Sequence, residues 1–163
     1  MISKKISLTL RKHTRMKHKF YALQSSADYL TFNFHSISSA RIVAKRIQFV
    51  PIRDDLYNLA FGDLDEKGEI DDLIVTNNND THQVLATVIQ AILLFLNNYQ
   101  NCSVYFEGSA SARTRLYQII LAREMQHWSD TFTVLGISKG IITPFETERD
   151  FDSFVVRLKD LHL

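Results

Sequence analysis

The chain has 163 residues, 45% hydrophobic and 23% charged, with five glycines and two prolines, which is the profile of one folded domain rather than a disordered or fibrous chain. Its longest helical-looking apolar run, Ala91–Leu96, falls far short of the roughly 20 residues a bilayer requires, and no signal-peptide pattern opens the chain; no membrane association is expected, and the cytoplasm is the expected compartment. A single cysteine, Cys102, excludes an internal disulfide and a cysteine-based zinc site, and the net charge of +1 is small.

That net charge hides an asymmetry. Lys4, Lys5, Arg11, Lys12, Arg15, Lys17 and Lys19 crowd the first 19 residues with no acid among them, which leaves 12 basic against 18 acidic residues in the remainder. Such an arm reaches phosphates, docks on its own acidic domain or serves as a solubilising terminus. Met16 is also a plausible start, so residues 1–15 are expected to be a basic N-terminal extension and residues 16–163 a single α+β domain.

Leu30–Ile37, Arg46–Ile52, Leu56–Leu64 and Glu69–Thr76 read as four strands, the third and fourth joined by the turn Asp65-Glu66-Lys67-Gly68. The proline at position 51 suggests an edge or strand end, and Gly62 suggests a bulge. The polar cluster Asn77–Thr81 is able to cap a helix from about His82 to Tyr99, whose wide apolar stripe marks a central core element. Cys102–Glu107 is a short strand. A second helix runs to about Trp128, and Phe132–Ile137 is the next strand, so this unit is expected to make a right-handed parallel crossover. Lys139–Phe145 reads as a strand or a loop. Thr147-Glu148-Arg149-Asp150 has the capping-box pattern, and Phe151, Phe154, Val155 and Leu158 follow at helical spacing. The expected fold is therefore α+β: an N-terminal antiparallel β-meander, then an αβαβ segment and a C-terminal helix, packed on one sheet.

The stretch from Val104 to Tyr117 is the most informative chemically. A strand ends in Gly108-Ser109, and a helix begins with small residues and then Arg113 and Arg115. Gly108 permits a sharp turn, Ser109 or Ser111 can cap, and free amides of a helix start favour an anion that the arginines would clamp. Arg113 and Tyr117 share a helix face, which suits stacking on a ligand or packing. Two readings of the arginines stay open: an anion site, or ion pairs with Asp63, Asp71 or Asp72. A Gly-Ser turn before a helix also opens nucleotidyltransferase sites, but these need paired carboxylates on the next strand, and Phe132–Gly136 has none. Neither GxGxxG nor GxxxxGK[ST] occurs.

Asp63, Asp65, Glu66, Glu69, Asp71, Asp72 and Asp80 cluster around the third and fourth strands, as a solvated turn, salt-bridge partners or a metal site. The six histidines lack ligand spacing, and Cys102 reads as an inert thiol. No metal site and no cofactor are expected.

Phe32-Asn33-Phe34-His35-Ser36, Lys45-Arg46-Ile47-Gln48-Phe49, Tyr57-Asn58-Leu59-Ala60-Phe61-Gly62-Asp63, Ile70-Asp71-Asp72, Asn77–Asp80, Val84–Val88 and Gly108-Ser109 through Arg113-Thr114-Arg115-Leu116-Tyr117 occur in this order. Together, over about residues 20–137, they resemble a bacterial domain-of-unknown-function family with "YNLAFGD" and "GS…RTRLY" signatures. The resemblance marks Asp63, Asp72, Asn78, Asp80, Gly108, Ser109, Arg113, Arg115 and Tyr117 as signature positions and implies no activity. The expected function is a small binding or interaction module. Its candidate ligand-binding residues are Gly108, Ser109, Arg113, Arg115, Tyr117, Asp63, Asp72 and Asp80, and its expected partner is a phosphate-bearing ligand or nucleic acid. The alternatives are a nuclease-like enzyme, such as a toxin–antitoxin component, and a structural homodimer or other protein partner.

Overall fold

Alternation of apolar and polar residues builds the first half of the molecule. The computed structural model describes residues 18–71, 78–128 and 130–159. Strands β1 (Gln24–Ser25), β2 (Thr31–Ile37), β3 (Ile42–Arg53), β4 (Leu56–Leu64) and β5 (Ile70–Asp71) follow one another as antiparallel neighbours. Phe32, Phe34 and Ser36 of β2 and Lys45, Ile47 and Phe49 of β3 turn to one buried face, in the register Phe32 to Ile47 and Phe34 to Lys45. This is the expected meander, with β3 longer at its start. Beyond Asp71, the expected fourth strand lies outside the described residues up to position 77, as does the whole expected extension 1–15.

The bulge is not at Gly62. Register shifts instead on the opposite strand, between Pro51 and Arg53, where the proline removes a ladder donor. Gly62 serves close approach: a Cβ there would stand 2.7 Å from Ile70 Cγ2 and 3.1 Å from the Asp71 carbonyl oxygen.

Helix α1 (Thr81–Asn98) is buried at thirteen consecutive positions, Val84 to Leu96, all of them apolar except Thr87 and Gln90, so it is a central core helix. Phe95 stacks on Phe49 of the sheet at 4.2 Å and on Tyr99 at 4.6 Å between ring centres. The N-terminal segment lies along the helix layer. The Tyr21 amide donates to Thr87 Oγ1 at 2.8 Å, and the His18 amide donates to the buried Glu124 carboxylate at 2.9 Å.

Strands β6 (Ser103–Phe106), β7 (Phe132–Ser138), β8 (Ile141–Pro144) and β9 (Ser153–Leu158) complete one nine-stranded sheet among the described residues, in the order β1-β2-β3-β4-β6-β9-β7-β8 with β5 on β4. Only β4 and β6 pair in parallel, across the crossover that contains α1. Helix α2 (Ser111–Trp128) links β6 to β7, and these two strands run parallel but are not adjacent, because each pairs antiparallel with β9. Both crossovers step the same way along the sheet. Crossovers of one hand then put their helices on one face, and α1 and α2 do pack together.

The expected C-terminal helix is a strand. Ser153–Leu158 fills the gap between β6 and β7, where it closes a ladder on each side. A helix there would leave two inner strand edges unpaired. Phe154 and Val156 point into the core, and the capping-box residues Thr147–Asp150 sit in the turn before β9. The doubtful Lys139–Phe145 segment is the hairpin strand β8, entered through Lys139 and Gly140, both at positive φ (51° and 79°) as a type I′ turn demands. No helix of the described residues is long and apolar enough to cross a membrane.

Gly136 lies under Phe151, and a Cβ added there would stand 2.3 Å from that ring. Gly136→Ala is therefore expected to lose about 1–3 kcal/mol by overpacking, and Phe151→Leu in the same chain should recover part of the loss. Urea unfolding of the three variants checks this; an unchanged midpoint for Gly136→Ala would refute the packing.

Candidate functional site

Parallel pairing of β4 with β6 stops after Asn58 and Tyr105, and β4 is next paired on that side by β5 at Asp63. A cleft of about 300 Å³ opens between these points, lined by Asn58–Asp63, Lys45, Glu107, Gly108, Ser109, Arg113 and Tyr117. It lies at the carboxyl end of β6, where sheets with parallel crossovers favour ligands. Five of the sequence-derived candidates, Asp63, Gly108, Ser109, Arg113 and Tyr117, meet in this one place.

Gly108 makes the corner possible. A Cβ there would stand 2.4 Å from the Thr114 amide nitrogen and 2.8 Å from Arg113 Cβ, so only glycine lets the loop press against the first turn of α2. The Gly108 amide donates to Thr114 Oγ1 at 3.0 Å, and that hydroxyl donates to the Ala110 carbonyl at 3.3 Å. Neither Ser109 nor Ser111 makes a capping bond; the helix start closes on the Ala110 carbonyl, which accepts the amides of Arg113 and Thr114. No acid occupies the first turn. The Ser109 hydroxyl has no hydrogen-bond partner among the described residues.

Arg113 is half-buried and forms no ion pair with any described residue, Asp63 and Asp71 included, while the alternative pairing with Asp72 lies outside the described residues. Asp63 is taken by Lys45, the residue directly across from it on β3. Asp72 lies outside the described residues. Arg115 is not in the cleft: two residues on, and so on the far side of the helix, it points to solvent and meets Asp150 at 3.3 Å, an exposed pair of little energetic weight.

Tyr117 is only 2% exposed and packs edge-on against Phe106 at 5.3 Å, so its ring is a packing element, not a stacking platform. Its hydroxyl bonds to no described residue and is not among the fully enclosed unpaired polar atoms; it opens on the cleft. Burial drives the phenol well above its ordinary pKa, partly countered by the nearby Arg113 charge, so it stays a neutral donor. Asp80 is spent elsewhere. It holds the N-cap position of α1 without capping it, and its carboxylate instead accepts the Tyr21 hydroxyl at 2.5 Å and the Ser36 hydroxyl.

Lys45 is a cleft residue that the sequence reading passed over. It is 2% exposed, bonded to Asp63 (5% exposed) and 5.7 Å from the centre of the Phe61 ring. The signal was present: Lys45 stands in phase with the inward residues Ile47 and Phe49, where a lysine is costly without a partner. Glu107 and Asn58 were also missed. Glu107 is exposed at the rim, 3.4 Å from the Tyr105 hydroxyl.

Among the described residues, no group of three or more His, Cys, Asp or Glu converges to hold a metal ion. Cys102 is half-buried, and burial together with Asp55 pushes its thiol up, away from the reactive thiolate.

Truncating one member of the Lys45–Asp63 pair strands the other charge in the interior. Lys45→Met alone is expected to cost about 3–5 kcal/mol, while Lys45→Met with Asp63→Leu should restore most of that stability. Urea unfolding of the single and double variants tests this, and equal losses would contradict a buried, mutually dependent pair.

No curated protein and no solved structure matches the chain. A family profile does, over residues 17–159, which spans every element from β1 to β9 and the whole cleft. The chain therefore belongs to the family of unknown function DUF6934.

Proposed function

We propose that the protein is a small binding module that takes an anionic, phosphate-bearing ligand in the cleft between β4 and the start of α2. The observation that carries this reading is Arg113, a half-buried guanidinium with no acidic partner among the described residues, beside the unbonded hydroxyl of the buried Tyr117. A cation and a neutral donor with no partner among the described residues are suited to an anionic ligand. Arg113 supplies charge and paired donors, and Ser109 and Tyr117 each supply a hydroxyl. Gly108 brings these groups together, and the Lys45–Asp63 pair forms the floor.

Binding is preferred over the two other readings on physical grounds. A nuclease-like reaction needs a general base beside the scissile phosphate; Asp63 is held by Lys45, and the other cleft carboxylate, Glu107, stands exposed at the rim. A homodimer built on a sheet edge needs backbone to pair, and the edge strands β1 and β8 have two and four residues.

Amide NMR titration with inorganic phosphate tests the reading. Shifts are expected at Asn58–Asp63 and Gly108–Tyr117. Arg113→Ala should weaken binding at least ~10-fold, the cost of a lost charge-assisted contact, with stability changed by no more than ~0.5 kcal/mol. Arg115→Ala should leave affinity unchanged. Absence of shifts in the cleft, or shifts confined to the basic residues before position 20 and fading with salt, would overturn it.

A further inference from the structure

Given the phosphate reading above, on which this inference rests, the shape and charge of the cleft specify its ligand further. We infer that the cleft takes a small phosphomonoester with a hydroxyl-bearing body, a phosphorylated sugar or nucleoside, rather than a polynucleotide backbone.

Size is the first reason. At about 30 Å³ for each liquid water, the cleft of about 300 Å³ matches roughly ten waters, far more than one phosphate group displaces. Its volume stands at the lower end of small-molecule sites. Leu59 and Phe61, on one face of β4, add apolar lining to the remaining space.

Charge is the second. Lys45 and Arg113 are matched by Asp63 and Glu107, so the lining is formally neutral. A polynucleotide is held by a run of unopposed cations on an accessible surface. Here the cations are recessed: Lys45 is 2% exposed and Arg113 half-buried, within reach of a terminal phosphate that enters the cleft.

The third reason is direction. Arg113, Ser109 and Tyr117 offer only donors or a cation in their anion-binding role, whereas Glu107 at the rim is an acceptor that repels phosphate. A ligand that satisfies both places its anion on Arg113, Ser109 and Tyr117 and its hydroxyl donors on Glu107. A carboxylate receiving the hydroxyls of a ribose is a recurrent solution to this geometry.

The test compares affinities for inorganic phosphate, ribose 5-phosphate, adenosine 5′-monophosphate and an oligoadenylate without terminal phosphates, by calorimetry and amide NMR on the full chain. At least one monoester is expected to bind ~10-fold or more tightly than inorganic phosphate, about 1.4 kcal/mol. Glu107→Gln should narrow that gap several-fold. Equal affinity for the two monoesters identifies a sugar phosphate, and a tighter nucleotide identifies the nucleoside form; either supports the inference. Inorganic phosphate binding in the cleft as tightly as both esters, or the oligoadenylate binding there more tightly than either, would overturn this inference while leaving the anion site intact. Failure of phosphate and both esters to perturb the cleft would overturn the anion reading itself.

Discussion

Helix α1 has no side left for solvent. Thirteen successive buried residues oblige the chain to cover it from every direction: the sheet beneath, α2 beside it, and the segment from His18 to Leu30 along it. A helix with one solvated face would have tolerated a looser arrangement, but one buried all round exposes a large, mostly hydrophobic surface unless each layer is present. The aromatic column Phe49, Phe95 and Tyr99 ties its C-terminal half to the sheet. With α1 fixed, the crossover from β4 to β6 has fixed ends, and the next helix has a prepared surface on which to pack.

The cleft is a consequence of that crossover. Two parallel strands meet over three residue pairs and then separate, β4 toward β5 and β6 toward the Glu107–Ser109 loop. The loop must turn immediately into α2, and the contact of Gly108 with Thr114 permits this without a gap. Arg113 and Tyr117, one turn apart on α2, are thereby aimed at the separation between the strands. Arg115 is rotated out of it by the same helical geometry. One glycine and one helical phase thus decide which of two neighbouring arginines can meet a ligand in the cleft.

The buried Lys45–Asp63 pair fits this picture better as a specifying feature than as a source of net stability. Charges moved out of water recover little more than their desolvation cost, even when paired well. On the cross-strand register the pair fixes β3 against β4, because a one-residue slip would send both charges to the opposite face. It also keeps the cleft floor polar at a position where Ile47 and Phe49 would otherwise extend the apolar core.

Much of the architecture was legible in the amino-acid order. Alternation gave the meander, the broad stripe gave α1, and Gly108-Ser109 followed by two arginines pointed to a corner where Gly108, Ser109, Arg113 and Tyr117 converge and Arg115 does not. Local periodicity failed at the C-terminus: Phe151, Phe154, Val155 and Leu158 fit a helix on spacing alone, and the unpaired edges of β6 and β7, distant in sequence, make the segment a strand. Partners across the fold were equally illegible. Nothing near Asp63 in sequence names Lys45, and nothing near Arg115 names Asp150. The sequence by itself determined the meander strands, α1 and the residue types gathered at the corner, because these depend on neighbours within a few positions. Only the tertiary structure decided which strands pair, which charges cancel and which are left facing the cleft, because those outcomes depend on contacts between residues far apart along the chain.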